Sequence, residues 1–301
     1  MVTTVSLVLG SGGARGHAHI GVIEELLSRD YRIIALAGSS MGALVGGMYA
    51  AGCLDAYRDW VTGLSYVEML RLVDMPFGVF GMIRGERAFA QLRELVGDVS
   101  IEALSIPYTA VATDLTSQKE VWFQEGPLLP AIRASIAIPG LLTPVERGNR
   151  VLVDGGLLNP VPIIPTVSAH ADIIVAVNLS APPLTRGGLA TQAVAEGGRA
   201  NPWLARLAMN EAERGQNKPL SKAATIGRLE VIYQSVEVMQ STLTQYKIAG
   251  YPPDVLIEIP KEACRFYEFH RAREMIAIGR DAACRVLDRY EGGEDHRSPV
   301  A

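Results

Sequence analysis

The chain has 301 residues, 49% of them hydrophobic and 20% charged, with a formal net charge of −4. This composition excludes a disordered chain and leaves length for a buried core in one large domain or two ordinary ones. The mild acidity gives nucleic acid no reason to bind, and no run reaches the roughly 18 consecutive apolar residues of a membrane-spanning helix.

Val5-Ser6-Leu7-Val8-Leu9 follows the first residues with no basic leader, so no secretory signal is expected. Residues 3–9 predict a short buried strand running into Gly10-Ser11-Gly12-Gly13-Ala14-Arg15-Gly16. Ile20, Val22, Ile23, Leu26 and Leu27 then recur at helical spacing. Residues 32–38 predict a second buried strand and 41–51 a helix of small residues. Strand, helix, strand, helix in this order predicts a parallel sheet with crossover helices. Residues 54–100 read as helical, broken at Pro76-Phe77-Gly78 and Arg84-Gly85.

Tyr108–Thr113 and Glu120–Gln124 read as strands, and 127–137 as a helix closed by Pro139-Gly140. Val151-Leu152-Val153 leads into the turn Asp154-Gly155-Gly156, and Asp172–Leu179 is a further strand. From 181 to 250 a Pro/Gly stretch precedes helical segments near 202–215 and 221–247. Val255–Ile259 is expected as the last strand, 266–290 as a C-terminal helix, and the polar tail from Glu291 as frayed. The expected organisation is one domain over 1–290 with a helical insertion or lid at 181–250, followed by a tail at 291–301. Cys53, Cys264 and Cys284 are odd in number, widely spaced and without metal-ligand spacing. They are expected as reduced, buried, inert thiols of a cytoplasmic protein.

Gly38-Ser39-Ser40-Met41-Gly42 is the chain's Gly-x-Ser-x-Gly, placed where an apolar run turns into a small-residue helix. A nucleophile elbow needs that context: Ser40 sits on a sharp strand-to-helix turn, and Gly38 and Gly42 remove side chains that would clash. Chance also produces such pentapeptides, so the surrounding residues have to decide. The glycine loop at 10–16 lacks the sixth-position glycine of a dinucleotide loop, which is Arg15 here, and lacks the Gly-Lys-Ser/Thr of a Walker loop. Three readings remain for it: an oxyanion hole, another anion-binding loop, or a structural turn. Asp154, at the end of an apolar strand, can orient or deprotonate a serine hydroxyl, but on spacing alone an ordinary Asp-Gly turn is the better explanation. Arg133-Ala134-Ser135-Ile136-Ala137-Ile138-Pro139-Gly140 taken alone is a helix end.

These four segments, in this order and spacing over about residues 5–180, resemble the patatin-like phospholipases, most of all the short bacterial members. The resemblance implies an α/β fold, a three-layer sandwich with a central mostly parallel sheet and helices on both faces. It implies a Ser40–Asp154 dyad in which Ser40 forms an acyl-enzyme and Asp154 serves as base for Ser40 and then for water. The backbone of Gly12 and Gly13, helped by Arg15, would hold the oxyanion, where one donor is typically worth roughly 3–4 kcal/mol. No metal or organic cofactor is implied. The family often carries Thr before the serine, where this chain has Ser39, which keeps the hydroxyl.

His170, His270 and His296 follow the acid in the chain, as the histidine of a triad would, but none has a catalytic loop context. They, and His17 and His19 near the glycine loop, are read as structural or surface residues. The resemblance implies hydrolysis of lipid acyl esters, with a phospholipid or lysophospholipid as substrate. Activity as a general carboxylesterase or thioesterase, or a non-catalytic scaffold of the same fold, are the competing functions. The Met- and Phe-rich residues 69–83 can line an acyl pocket, touch a bilayer or pack as helices on the sheet. Residues 181–225, with Arg186, Arg199, Arg206, Arg214, Lys218 and Lys222, read either as a solvated loop or as a basic lid near anionic headgroups. The expected location is cytoplasmic with transient contact at a membrane surface, and self-association is left open.

Overall fold

The computed structural model describes residues 2–72, 85–181 and 228–293. The strands among them are β1 (Thr4–Leu9), β2 (Arg32–Ser39), β3 (Tyr108–Asp114), β4 (Lys119–Phe123), β5 (Val145–Arg147), β6 (Arg150–Asp154), β7 (Ile173–Ala181) and β8 (Val255–Pro260). The α-helices are α1 (Ala18–Ser28), α2 (Met41–Ala50), α3 (Leu54–Gly63), α4 (Tyr66–Leu72), α5 (Glu86–Val96), α6 (Leu128–Ser135), α7 (Arg228–Gly250) and α8 (Ala272–Glu291).

β3, β2, β1, β7 and β8 lie side by side and parallel, and β4, β6 and β5 extend the sheet in antiparallel pairings. The expected mostly parallel α/β sheet with helices on both faces is therefore the fold. Alternate residues of each strand point to opposite faces, and in the central strands both faces are buried. Leu7, Leu9, Val175, Val177 and Leu179 pack into the main core with Ile20, Ile23 and Leu26 of α1 and Met275 of α8. Val8 and Ala176 point the other way, onto Val161, Ile163 and the half-buried Ile248 of α7.

The chain leaves β1 towards β2 on one side and later returns to place β7 on the other. That reversal opens a crevice beyond the carboxyl ends of β1 and its neighbours, where doubly wound sheets bind ligands. The glycine loop and Ser40 both emerge there.

β3 does more than sit between its neighbours. Both β2 and β4 pair with Ala110 and Val111, and both β4 and β6 pair with Ala112–Asp114. One residue cannot pair with two strands on the same edge, so β4 takes one edge of β3 while β2 and β6 share the other end to end. Ser39 lies opposite Val111, and Asp154 lies opposite the next residue, Ala112. Two strands distant in the chain thus finish facing each other.

Several expectations shift. The three-residue β5, hairpinned to β6 around Gly148 (φ +60°), has no apolar alternation to announce it. The segment expected at 221–247 is α7, and the C-terminal helix starts at Ala272 after a 3-10 turn over Phe269–Arg271. Cys264 is buried as expected, but Cys53 and Cys284 are only half-buried. The proposed lining segment beyond Leu72, the basic stretch at 182–225 with the helix near 202–215, and the tail from 294 lie outside the described residues. Among the described residues, no helix is long and apolar enough to cross a membrane.

Candidate active site

β2 ends at Ser39 and α2 begins at Met41, leaving Ser40 alone in the turn with φ 55° and ψ −125°. A side-chain-bearing residue in that region is strained, and such strain persists only where the surroundings enforce it. The two glycines make the turn sterically possible. A Cβ on Gly42 would sit 2.0 Å from the Leu9 carbonyl oxygen, and one on Gly38 would sit 2.4 Å from that of Gly42.

Ser40 Oγ donates to Asp154 Oδ2 at 2.5 Å, and Gly156 N–H donates to Oδ1 at 2.7 Å. Both side chains are buried, at 2% and 3% exposure. Burial lifts the Asp154 carboxyl from the usual carboxylate range to about 7, with the hydrogen bonds from Ser40 and Gly156 opposing the rise. A carboxylate of that basicity can accept a hydroxyl proton near neutral pH. The two readings of Asp154 left open by its spacing converge here, because the Asp-Gly turn is also what holds the carboxylate on Ser40.

The glycine loop faces the same point. Gly10 N–H goes to the Val177 carbonyl, Ser11 N–H to that of Pro160 and Ala14 N–H to that of Phe266. Among the described residues no acceptor takes the N–H groups of Gly12 and Gly13, and both glycines line a cavity with Ser40 and Asp154. Gly13 has φ +56°, and a Cβ on Gly12 would overlap Leu179 at 2.7 Å, so side chains are excluded at both.

Arg15 is buried but does not line that cavity. Its Nε donates to the Gly12 carbonyl at 3.2 Å, one terminal nitrogen to the Lys261 carbonyl at 3.0 Å and the other to Glu237 Oε1 at 2.6 Å. In a planar trans peptide the C=O and N–H point opposite ways. By holding the Gly12 carbonyl, Arg15 therefore aims the Gly13 N–H. Arg15 thus acts on the loop backbone and has no direct contact with the cavity.

The remaining cavity wall comes from Ser11, Ile138, Pro139 and Leu157 and from Val236 and Gln240 of α7. Ser11 Oγ is buried with no hydrogen-bond partner among the described residues. Sequence reasoning assigned no role to these side chains. Pro139 and Ile138 lay within a quoted motif, whereas Val236 and Gln240 reach the site from the segment read as an insertion, where no local pattern marks them.

The histidines stand apart from the dyad. His17 and His19 are fully buried and pushed down to about 4 by desolvation, so both are neutral. His19 Nε2 pairs with the Gly10 carbonyl at 2.8 Å, and because a carbonyl only accepts, Nε2 carries the proton. His170 closes the 3-10 turn at Ile164–Ala169, and His270 is exposed in the turn before α8. His296 lies outside the described residues.

Taken together, the doubly wound sheet, the serine on a strained strand-to-helix turn and the carboxylate abutting it define an α/β architecture with a serine and an aspartate in hydrogen-bond contact at its crevice. The patatin-like phospholipase family pattern matches residues 7–167, which contain the glycine loop, Ser40 and Asp154. The chain belongs to the patatin-like phospholipase family. It is 42% identical to an uncharacterized NTE family protein of Mycobacterium bovis, over 97% of this chain and 93% of that protein. It is 28% identical to patatin-like phospholipase domain-containing protein 6 of Homo sapiens, over 77% of this chain and 18% of that much longer protein. VipD from Legionella pneumophila aligns over 95% of this chain and 66% of its own, with a TM-score of 0.45 and 15% identity. Family membership supports lipid hydrolysis in general.

Proposed function

We propose that this protein is a lipid acyl hydrolase of phospholipase A or lysophospholipase type, with Ser40 as nucleophile and Asp154 as general base. The observation that carries the reading is the 2.5 Å hydrogen bond from a strained, buried serine to a buried carboxylate.

In this mechanism Asp154 Oδ2 takes the Ser40 proton as Oγ attacks the acyl carbonyl carbon. Negative charge develops on the carbonyl oxygen, where the N–H groups of Gly12 and Gly13 and the N-terminus of α2 offset it. Collapse expels the alcohol, which recovers the proton from Asp154 and leaves an acyl-Ser40 ester. Asp154 then deprotonates a water that attacks this ester, and the second collapse returns the acid and the free hydroxyl. Ile138, Pro139, Leu157 and Val236 give the cavity an apolar wall suited to an acyl chain.

A cover over the site belongs to the same proposal. Its support within the expected 181–250 segment is α7, whose Val236 and Gln240 stand in the cavity wall. Transient contact of a cytoplasmic protein with a membrane surface also belongs to it. The three unpaired cysteines support the compartment.

The test is mass spectrometry of a panel of phospholipids, lysophospholipids and short esters incubated with wild type and with Ser40→Ala. Acyl loss from phospholipid or lysophospholipid with wild type alone is expected. Turnover confined to short esters would replace the reading with a general esterase. A folded wild type that a fluorophosphonate fails to label would overturn catalysis by Ser40.

A further inference from the structure

Ser40 and Asp154 lie 114 residues apart in the chain, yet one short segment holds the backbone of both. Ser40 N–H donates to Ser135 Oγ at 2.9 Å, and Asp154 N–H donates to the Ala137 carbonyl at 2.9 Å. Ser135 Oγ in turn donates to the Val111 carbonyl at 2.6 Å. A hydroxyl has one proton. With that proton spent on Val111, Ser135 can only present a lone pair to Ser40, so the direction of both bonds is determined.

The place matters as much as the bonds. Val111 is the β3 residue opposite Ser39, and its neighbour Ala112 is opposite Asp154, so the hydroxyl sits at the junction where β2 meets β6. Ser135 is fully buried, shielded from bulk solvent. Ser40 holds φ 55°, a conformation its own residue type does not favour. Released from its acceptor, the Ser40 peptide would relax towards ordinary backbone angles and carry Oγ off Asp154. The tight turn after α6, with Ala137 N–H on the Ala134 carbonyl and Ile138 N–H on that of Ile136, sets the Ala137 carbonyl on its own target.

We infer that Ser135 is a positioning residue for the reaction, a clamp that holds the strained Ser40 peptide so that nucleophile and base stay in register. This rests on the Ser40–Asp154 reading above. Ser135 does not touch the cavity, whose wall starts three residues later at Ile138. It acts through Ser40, and the Ala137 carbonyl acts through Asp154.

The experiment compares wild type, Ser135→Ala, Ser135→Cys and Ser135→Thr. It measures fluorophosphonate labelling of Ser40 from pH 5 to 9, and kcat and KM on p-nitrophenyl butyrate. Misplacing a reacting atom by about an ångström costs on the order of 100-fold. Ser135→Ala is expected to slow labelling and kcat roughly 10- to 100-fold while KM moves less than about twofold. The acid limb of the labelling profile should also move to higher pH, because a loosened Ser40 hydrogen bond no longer favours the charged Asp154. Ser135→Cys keeps the shape with a poor acceptor and should behave like Ala, and it carries the comparison if the alanine variant does not fold. Ser135→Thr keeps the hydroxyl and should recover most of the rate. Labelling of either folded Ala or Cys variant at the wild-type rate would overturn the clamp, as would a loss confined to KM. Wild type that does not label removes the Ser40–Asp154 reading itself, and the clamp with it.

Discussion

At the scale of single residues, Asp154 pulls activity and stability in opposite directions. Its carboxyl titrates near 7 in the folded protein against about 3.8 when exposed, because burial disfavours the charge. The base is useful only when ionised, so labelling of Ser40 should rise with pH through about 7 and level off above it. For stability the sign reverses. Between the two values the folded state holds a proton that the unfolded state has lost, so this group makes the fold less stable as pH climbs from about 4 to 7. Asp154→Asn should therefore abolish turnover yet raise the melting temperature over wild type, with a larger gain at pH 8 than at pH 4. A melting gain that is the same at both pH values would refute the buried charge. His17 and His19, buried neutral, add a separate acid-side loss of stability common to both proteins, which the difference between variants removes.

At the scale of elements, α7 was legible as a helix, but its position at the cavity wall was not. Its Lys247 binds Glu120, whose carboxylate also receives Trp122 Nε1 and Asn159 Nδ2. One turn past Val236 and Glu237, Gln240 faces the cavity, while Glu237 itself reaches Arg15 at 2.6 Å. Arg15 is 3% exposed at its side chain and Glu237 23%, so the pair is shielded on one side only. Glu237→Gln keeps the shape and removes the charge. The expected outcome is faster amide exchange across 236–248, and faster labelling of Ser40 by a bulky fluorophosphonate, as α7 lifts more often. Slower labelling would mean instead that Glu237 matters through Arg15 and the Gly12 carbonyl.

The elements that could be read in the chain are those with a local signature. Val5, Leu7, Val8 and Leu9 form a short apolar run, Ile20, Ile23 and Leu26 repeat at helical spacing, and both sets are buried. β5 and the turns at 155–157 and 164–169 have too few apolar positions to show a period. Val236 and Gln240 were illegible for a different reason. Val238, Met239 and Tyr246 stand on the exposed side of α7 and blur its amphipathic stripe, and nothing in the sequence says which residues look into a cavity.

At the scale of the whole molecule, the two ends of the described chain close on each other through α1 and α8. Gly21 and Gly279 let these helices cross at backbone distance. A Cβ on Gly279 would lie 2.0 Å from the Ala18 carbonyl oxygen, and one on Gly21 equally close to that of Ile276. Arg29 at the end of α1 adds ion pairs to Asp288 and Glu291. Gly279→Val should force the helices apart at a cost of about 1–3 kcal/mol or more. A domain of this size would then melt roughly 2–5 °C lower, or more if the cost is larger. Unchanged melting would show that α8 is not fastened to α1 as described. Because α1 starts directly after the glycine loop, the same variant should also slow labelling of Ser40.

Ser40 was recognisable from its neighbours in the chain, since a glycine-flanked serine between an apolar run and a small-residue helix is a local steric statement. The glycine loop and the parallel sheet were legible on the same terms, through backbone freedom and side-chain period. The pairing of Ser40 with Asp154 came only through the family resemblance and not from the residues' own pattern, and the hold of Ser135 and Ala137 on their peptides was not legible at all. Those depend on β2 and β6 ending against one edge of β3, and strand register is set by packing across the sheet, not by any run of adjacent residues. A hydrogen bond over 114 residues leaves no periodicity behind. Folding is what brings the carboxylate to the serine and, by burying it, raises its affinity for a proton.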